Sequence, residues 1–122
     1  MTDRVPVLRI GDVLLVSIQM DLDDQSVLSL QDDLANEVIA TGARGVVIDI
    51  TAAEIVDSFV GRMLATIASI SRLLDAQTVV VGMRPAVAIT LVELGLSLGG
   101  VRTALNLEQG LAILRRPDLD AV

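Results

Sequence analysis

The chain has 122 residues and a formal net charge of −7, and it contains no histidine, cysteine, tryptophan or tyrosine. All 9 of its basic residues are arginines, so the side chains used for imidazole catalysis, thiolate chemistry, Schiff bases and ordinary zinc sites are missing. The acidic balance and the single aromatic residue also argue against nucleic-acid and anionic-membrane surfaces, so we expect a non-catalytic protein without a metal or cofactor.

The chain opens with two runs of β-branched and aliphatic residues, at positions 5–10 and 13–18. Gly11 and Asp12 separate the two runs. Glycine at the first central position is typical of a two-residue type II′ turn. The pattern therefore predicts an antiparallel β-hairpin at the start of the chain.

An amphipathic helix is predicted after the hairpin. Asp23 or Asp24 can cap its first turn, and Gly42 is typical of the residue that follows a helix C-terminus. Its apolar positions recur with the roughly 3.6-residue period of a buried helix face. These positions are Val27, Leu30, Leu34 and Val38.

The middle of the chain predicts a buried strand, a second helix and another strand. Residues 45–51 form a nearly continuous apolar run, which is typical of a parallel strand covered on both faces. Residues 59–74 have the period of a packed helix, and residues 78–81 are β-branched. These elements continue the alternation of strand and helix.

The last part of the chain predicts two helices with a weak strand between them. Pro85 suits the first turn of the third helix, and Gly95 suits its end. The buried positions of this helix are Val87, Leu91 and Leu94. Residues 101–105 are a weak strand at best. Asn106 and Gln109 have the spacing of a capping box, which begins a last helix. Its apolar positions are Leu107, Leu111 and Leu114.

The order ββαβαβαβα predicts a single α/β domain in which an N-terminal β-hairpin precedes helices and strands alternating around a mixed, mainly parallel sheet. We expect this domain to occupy residues 1–122, with a core over about 5–114 and a frayed tail at 117–122. The first residues lack the features of an export signal, and uncharged stretches such as 76–83 are shorter than the roughly 18 residues of a membrane span. We therefore expect a cytoplasmic protein.

Asp57, Ser58 and Phe59 stand where the second helix is predicted to begin. The free N–H groups and the positive dipole end of a helix start tolerate a phosphate, so Ser58 is a candidate phosphorylation site. The alternative is a plain N-cap in which the hydroxyl accepts a backbone N–H. Both interpretations can hold at once. The first makes Ser58 a regulatory switch and the second makes it a structural residue, and neither makes it part of an active site.

Three segments of the chain resemble the STAS domain of bacterial anti-anti-sigma factors, and within that family the RsbS-type scaffold proteins of the stressosome. The segments are residues 49–59, which contain the Asp57–Ser58 pair, residues 82–95 and residues 103–111. The likeness covers about residues 5–114. Phe59 departs from the sporulation-type pattern, in which small residues follow the serine.

The resemblance implies that an RsbT-like serine/threonine kinase phosphorylates Ser58. It implies that the unmodified scaffold holds this kinase together with an RsbR-like paralogue, and that phosphorylation releases the kinase. Candidate partner-binding residues, chosen for their closeness to Ser58 in sequence, are Glu54, Asp57, Phe59 and Arg62. The 52% hydrophobic content favours apolar surfaces that close against copies or relatives, so we expect a homo-oligomer, such as a dimer that builds a large complex.

Two other functions remain open from the sequence. The chain can be a stand-alone anti-anti-sigma factor that binds an anti-sigma kinase directly. It can also be a nucleotide-binding STAS module, with Arg62 and Arg84 as cationic contacts. A receiver-like role for Asp49 would require a lysine that the chain lacks, so we expect Asp49 to tie down the loop after its strand.

Overall fold

A computed structural model describes residues 5–18, 24–52, 58–93, 95 and 101–115, with the backbone alone at 58–60. Its elements follow the predicted order. They are β1 (Val7–Ile10), β2 (Val13–Ser17), α1 (Asp24–Thr41), β3 (Gly45–Asp49), α2 (Ser58–Leu73), β4 (Gln77–Val81), α3 (Pro85–Glu93), β5 (Arg102–Ala104) and α4 (Leu107–Arg115).

The five strands form one sheet in the order β1-β2-β3-β4-β5. β1 and β2 are antiparallel, with Ile10 opposite Val13, and the other neighbouring pairs are parallel. Gly11 has a φ of +61° and Asp12 has a negative φ, as the predicted type II′ turn requires. The predicted fold class is therefore confirmed.

Two hydrophobic cores lie on opposite faces of the sheet. The larger one joins α1, α2 and α3 to one face, where Leu30, Ile48 and Ile67 are fully buried. The smaller one joins α4 to the other face, where Leu114 packs with Val47 and its neighbours. Because strand residues alternate between the two faces, β3 is covered on both sides, as its apolar run predicts.

The predicted apolar stripe of α1 is confirmed, because all four of its residues are buried. Gly42 follows the helix with a φ of +66°, and its N–H donates to the carbonyl of Val38 at 2.9 Å. A residue in this left-handed conformation ends a helix in the way that the sequence predicts. Asp23, the alternative cap, lies outside the described residues.

The structure differs from the sequence prediction at three element ends. The region predicted as a weak strand at best contains β5, a short strand parallel to β4. α2 begins at Ser58, one residue earlier than predicted. Asn106 accepts the N–H of Gln109 at 2.9 Å, but the Gln109 side chain accepts the N–H of Leu105 at 3.4 Å instead of that of Asn106. Leu94 and the predicted tail lie outside the described residues.

The amino ends of β2, β3 and β4 meet at one edge of the sheet, which we call the amino edge. There Arg44 forms an ion pair with Asp12 at 2.8 Å, and its N–H donates to the Asp12 carbonyl at 2.9 Å. The carbonyl of Arg44 accepts the N–H of Gln77 at 3.0 Å. These contacts tie three consecutive strand starts together.

Two hydroxyl groups in the described part of the chain, those of Ser71 and Thr78, are buried without a hydrogen-bond partner. An unsatisfied buried hydroxyl costs about 1–3 kcal/mol, and valine has nearly the shape of threonine. We therefore expect Thr78→Val to raise the free energy of unfolding by about 1 kcal/mol, measured by urea denaturation.

Thr90→Val is the matched control, because the Thr90 hydroxyl donates to the Ala86 carbonyl at 2.9 Å. This variant is expected to give no gain in stability. A loss of stability in Thr78→Val would contradict the prediction, since it would mean that the Thr78 hydroxyl has a partner in solution.

Candidate functional site at the carboxyl edge of the sheet

The carboxyl ends of the parallel strands meet at the edge opposite the amino edge, and α2 and α3 begin there. In open α/β sheets, functional sites commonly lie at this carboxyl edge. Backbone hydrogen bonds of 2.9 to 3.2 Å hold the strand ends together: Ile18 N–H to Asp49 O, Ile50 N–H to Val81 O and Gly82 N–H to Ala104 O. The ladder is therefore complete as far as the first residue after β3 and β4.

Thr51 is the first residue beyond this ladder, and side chains hold it from two directions. Asp49 Oδ1 accepts both the Thr51 backbone N–H at 2.9 Å and the Thr51 hydroxyl at 2.6 Å. A guanidinium nitrogen of Arg84 donates to the Thr51 carbonyl at 3.2 Å. The prediction that Asp49 ties down the loop after β3 is therefore confirmed.

Gly82 completes this contact from the turn between β4 and α3. Its φ is +77°, a conformation that residues with a Cβ adopt at a cost. A Cβ at this position would overlap the Thr51 hydroxyl and lie 2.9 Å from the Thr51 Cα. Only glycine therefore lets this turn approach Thr51 so closely. We call the four residues that meet here the Thr51 node: Asp49, Thr51, Gly82 and Arg84.

Ser58 is the first residue of α2, and the first turn of this helix contains no acidic side chain. The positive end of the helix dipole is therefore not offset by a carboxylate within that turn. Arg62 is exposed one turn further on, and positions four apart share a face of a helix. A negative charge added at the start of α2 would therefore meet the positive end of the helix dipole, with the exposed Arg62 one turn away.

The other predicted partner-binding residues are less completely described. The backbone of Phe59 lies in the first turn of α2, next to Ser58. Glu54 and Asp57 lie outside the described residues. The structure shows only that Arg62 is exposed one helical turn after position 58, and a partner-binding role stays a prediction for all four residues.

Sequence reasoning missed the Thr51 node as a unit. An aspartate side chain commonly accepts the backbone N–H of the residue two positions later, so the contact between Asp49 and Thr51 was predictable from the sequence. The sequence suggests Arg84 only as a possible nucleotide contact, and in the structure its guanidinium donates to the carbonyl of Thr51, 33 residues earlier in the chain. No local pattern encodes that pairing.

A shallow cavity of about 250 Å³ lies between β1 and α1. Its lining residues are Val5, Pro6, Val7, Asp33, Asn36 and Glu37. The two carboxyl groups and the lack of a basic side chain in this lining do not suit the phosphates of a nucleotide.

Within the described ranges, no three acidic side chains are placed to hold a metal ion. No described helix has the length and apolar character needed to cross a membrane.

Comparisons with known proteins by family model, by sequence and by structure all point to the same group of relatives. A family model described as the STAS domain matches residues 4–109. The solved S58E variant of RsbS from Moorella thermoacetica is 43% identical, with a TM-score of 0.82, and the match covers 98% of this chain and 100% of that chain. A chain in the structure named "Molecular architecture of the stressosome, a signal integration and transduction hub" is 45% identical, with a TM-score of 0.81 and coverage of 90% and 96%.

A curated relative is also similar over part of its length. The RsbT co-antagonist protein RsbRA of Bacillus subtilis (strain 168) is 31% identical over 90 residues. The match covers 74% of this chain but only 33% of that protein. The present chain therefore spans a minor part of this longer relative.

Proposed function

Since the chain belongs to the STAS domain family, we propose that it is a non-catalytic scaffold of the RsbS type that holds a serine/threonine kinase and releases it when Ser58 is phosphorylated. The observation that carries the proposal is the position of Ser58 at the start of α2, at the carboxyl edge of the sheet. The likeness to RsbS, which covers 98% of this chain and 100% of the RsbS chain, supports it. That solved relative also carries a serine-to-glutamate substitution under the number 58.

In the proposed reaction, the Ser58 hydroxyl oxygen attacks the γ-phosphorus of a nucleoside triphosphate bound to the kinase. The bond between the γ-phosphorus and the oxygen that bridges to the β-phosphate breaks, and the hydroxyl proton passes to a base on the kinase. The products are phosphoserine and a nucleoside diphosphate. The present chain supplies the acceptor, and the kinase supplies the catalytic groups.

The fold is expected to tolerate this modification. A phosphate adds about −1.5 to −2 charges at neutral pH, and a helix start with free N–H groups stabilises negative charge. α2 has no acidic side chain in its first turn, and the exposed Arg62 lies one turn away. The packed face of α2, which includes Leu64 and Ile67, lies in the core and is unaffected.

The surface on which the kinase is proposed to dock, in contrast, becomes more negatively charged. Glu54 and Asp57 are close to Ser58 in sequence, so the phosphate joins charges of the same sign. Like charges placed against each other at an interface cost several kcal/mol, whereas about 1.4 kcal/mol lowers affinity tenfold. Electrostatic repulsion is therefore sufficient to release a kinase whose docking face carries acidic groups here.

Assembly is the second part of the proposed function. Several large apolar side chains are exposed on the described surface: Leu8, Leu28, Ile39, Leu73, Ile89, Val92 and Leu105. We propose that such surfaces pack against further copies of the chain, as a dimer that builds a larger complex, and against RsbR-type paralogues in the cytoplasm. The likeness to a chain of the stressosome structure and to an RsbT co-antagonist supports these partners, and an RsbT-like protein as the kinase.

Two measurements test the proposal. Size-exclusion chromatography of the chain mixed with an RsbR-type paralogue is expected to give a particle far larger than a dimer. A small heterodimer with the kinase alone would favour a stand-alone anti-anti-sigma factor. Phosphopeptide mass spectrometry after incubation with the kinase and ATP is expected to find the label at Ser58, and a label at any other position would contradict the switch.

A further inference from the structure

The Thr51 node is held by several hydrogen bonds although its side chains are largely exposed. Thr51 and Arg84 are exposed and Asp49 is half-buried, so burial of apolar surface does not hold these residues in place. Nevertheless the Thr51 N–H, hydroxyl and carbonyl are all engaged, and Gly82 packs directly against it. Exposed hydrogen bonds add little to net stability, so the principal effect of the node is to fix a backbone position.

The fixed position lies at one end of the connection between β3 and α2. The other end is α2 itself, which Leu64 and Ile67 anchor in the core. Ser58 therefore follows a connection whose start is held by the Thr51 node and whose end is held by a packed helix. The backbone on both sides of the connection is therefore anchored to the sheet and its core.

We propose that Thr51 and Arg84 are positioning residues for phosphorylation of Ser58, an inference that rests on the proposed function. They touch neither the nucleotide nor the transferred phosphoryl group. They act through the backbone, by holding the start of the connection so that the Ser58 hydroxyl meets the γ-phosphorus in line. Phosphoryl transfer depends strongly on such alignment, because there is little other chemistry for the acceptor side to contribute.

The test measures kcat and KM of the partner kinase with the full chain as substrate, using saturating ATP and quantifying phosphoserine at position 58. Thr51→Val removes the hydroxyl bond to Asp49 and keeps the side-chain shape, and Arg84→Met removes the donor and keeps the stem. For both variants kcat is expected to fall on the order of tenfold, with KM changed less than about twofold. Thr51→Ser and Arg84→Lys, which retain a donor, are expected to recover most of the rate.

Arg102→Met is the matched control, because Arg102 is exposed on β5 and its loss changes the net charge in the same way. Its kcat is expected to equal that of the natural chain. Unchanged kcat in Thr51→Val and Arg84→Met would overturn the inference, and so would an equal fall in Arg102→Met or a change confined to KM. Absence of label on the natural chain would instead refute the proposed function, so the two failures are distinguishable.

Discussion

Replacing Ser58 with glutamate is expected to weaken kinase binding at least tenfold while the fold remains intact. The carboxylate mimics part of the phosphate charge, and a helix start without an acidic side chain in its first turn accommodates it. A tenfold loss corresponds to about 1.4 kcal/mol, less than the cost of a like-charge contact at an interface. Isothermal titration calorimetry with the cognate kinase measures the affinity, and far-ultraviolet circular dichroism checks the fold.

Two control variants separate charge at position 58 from other effects. Ser58→Ala removes the acceptor without adding charge, so it is expected to bind the kinase as tightly as the natural chain and to trap it. Gln77→Glu adds one negative charge at an exposed position on the amino edge, and it is expected to leave the affinity unchanged. If Ser58→Glu bound with natural affinity, release by charge would be wrong, and if it were unfolded, the expected tolerance of the fold would be wrong.

Gly82→Ala is expected to lower the free energy of unfolding by about 3 kcal/mol. The left-handed conformation costs about 1–2 kcal/mol for a residue with a Cβ, and overpacking typically adds about 1–3 kcal/mol. The added Cβ would overlap the Thr51 hydroxyl and lie 2.9 Å from the Thr51 Cα, which belongs to the backbone and cannot rotate away. Denaturation in urea, with the midpoint and slope both fitted, measures the loss.

Gly42→Ala is the matched control for this prediction. Gly42 has a φ of +66°, close to that of Gly82, but a Cβ at position 42 would meet no atom within 4 Å. Only the backbone penalty applies there, so we expect a loss of about 1 kcal/mol. Equal losses in the two variants would show that the approach of Gly82 to Thr51 does not constrain the fold.

Much of the fold was predictable because its signals are local. The apolar stripe of α1 and the two-sided burial of β3 follow from spacing within one element, and the turn at Gly11 follows from one dipeptide. β5 was underestimated because it is only three residues long and pairs along a single edge with β4. Its pairing partner, not its own composition, makes it a strand.

The candidate site was less predictable, and the reason differs between Ser58 and the contact of Arg84 with Thr51. Ser58 was proposed from its place at a helix start together with the family resemblance, because a serine at a helix start is by itself usually a cap. The contact of Arg84 with Thr51 joins two turns that follow neighbouring strands, and a pairing across 33 residues exists only once the sheet has formed. Sequence reasoning therefore predicted Ser58 as the acceptor, a prediction that still awaits its test, and it missed the residues proposed here to position it.

The parallel course of β2 to β5 separates the two ends of the molecule. Phosphorylation of Ser58 would alter the charge at the end where α2 and α3 begin, whereas the Asp12–Arg44 pair and its backbone contacts lie at the far end. A neighbouring subunit bound at the far end would make the same contacts in both chemical states. Under the proposed function, subunits of one particle would then be phosphorylated one at a time while the particle stays assembled, and the number of kinases released would scale with the number of phosphorylated subunits.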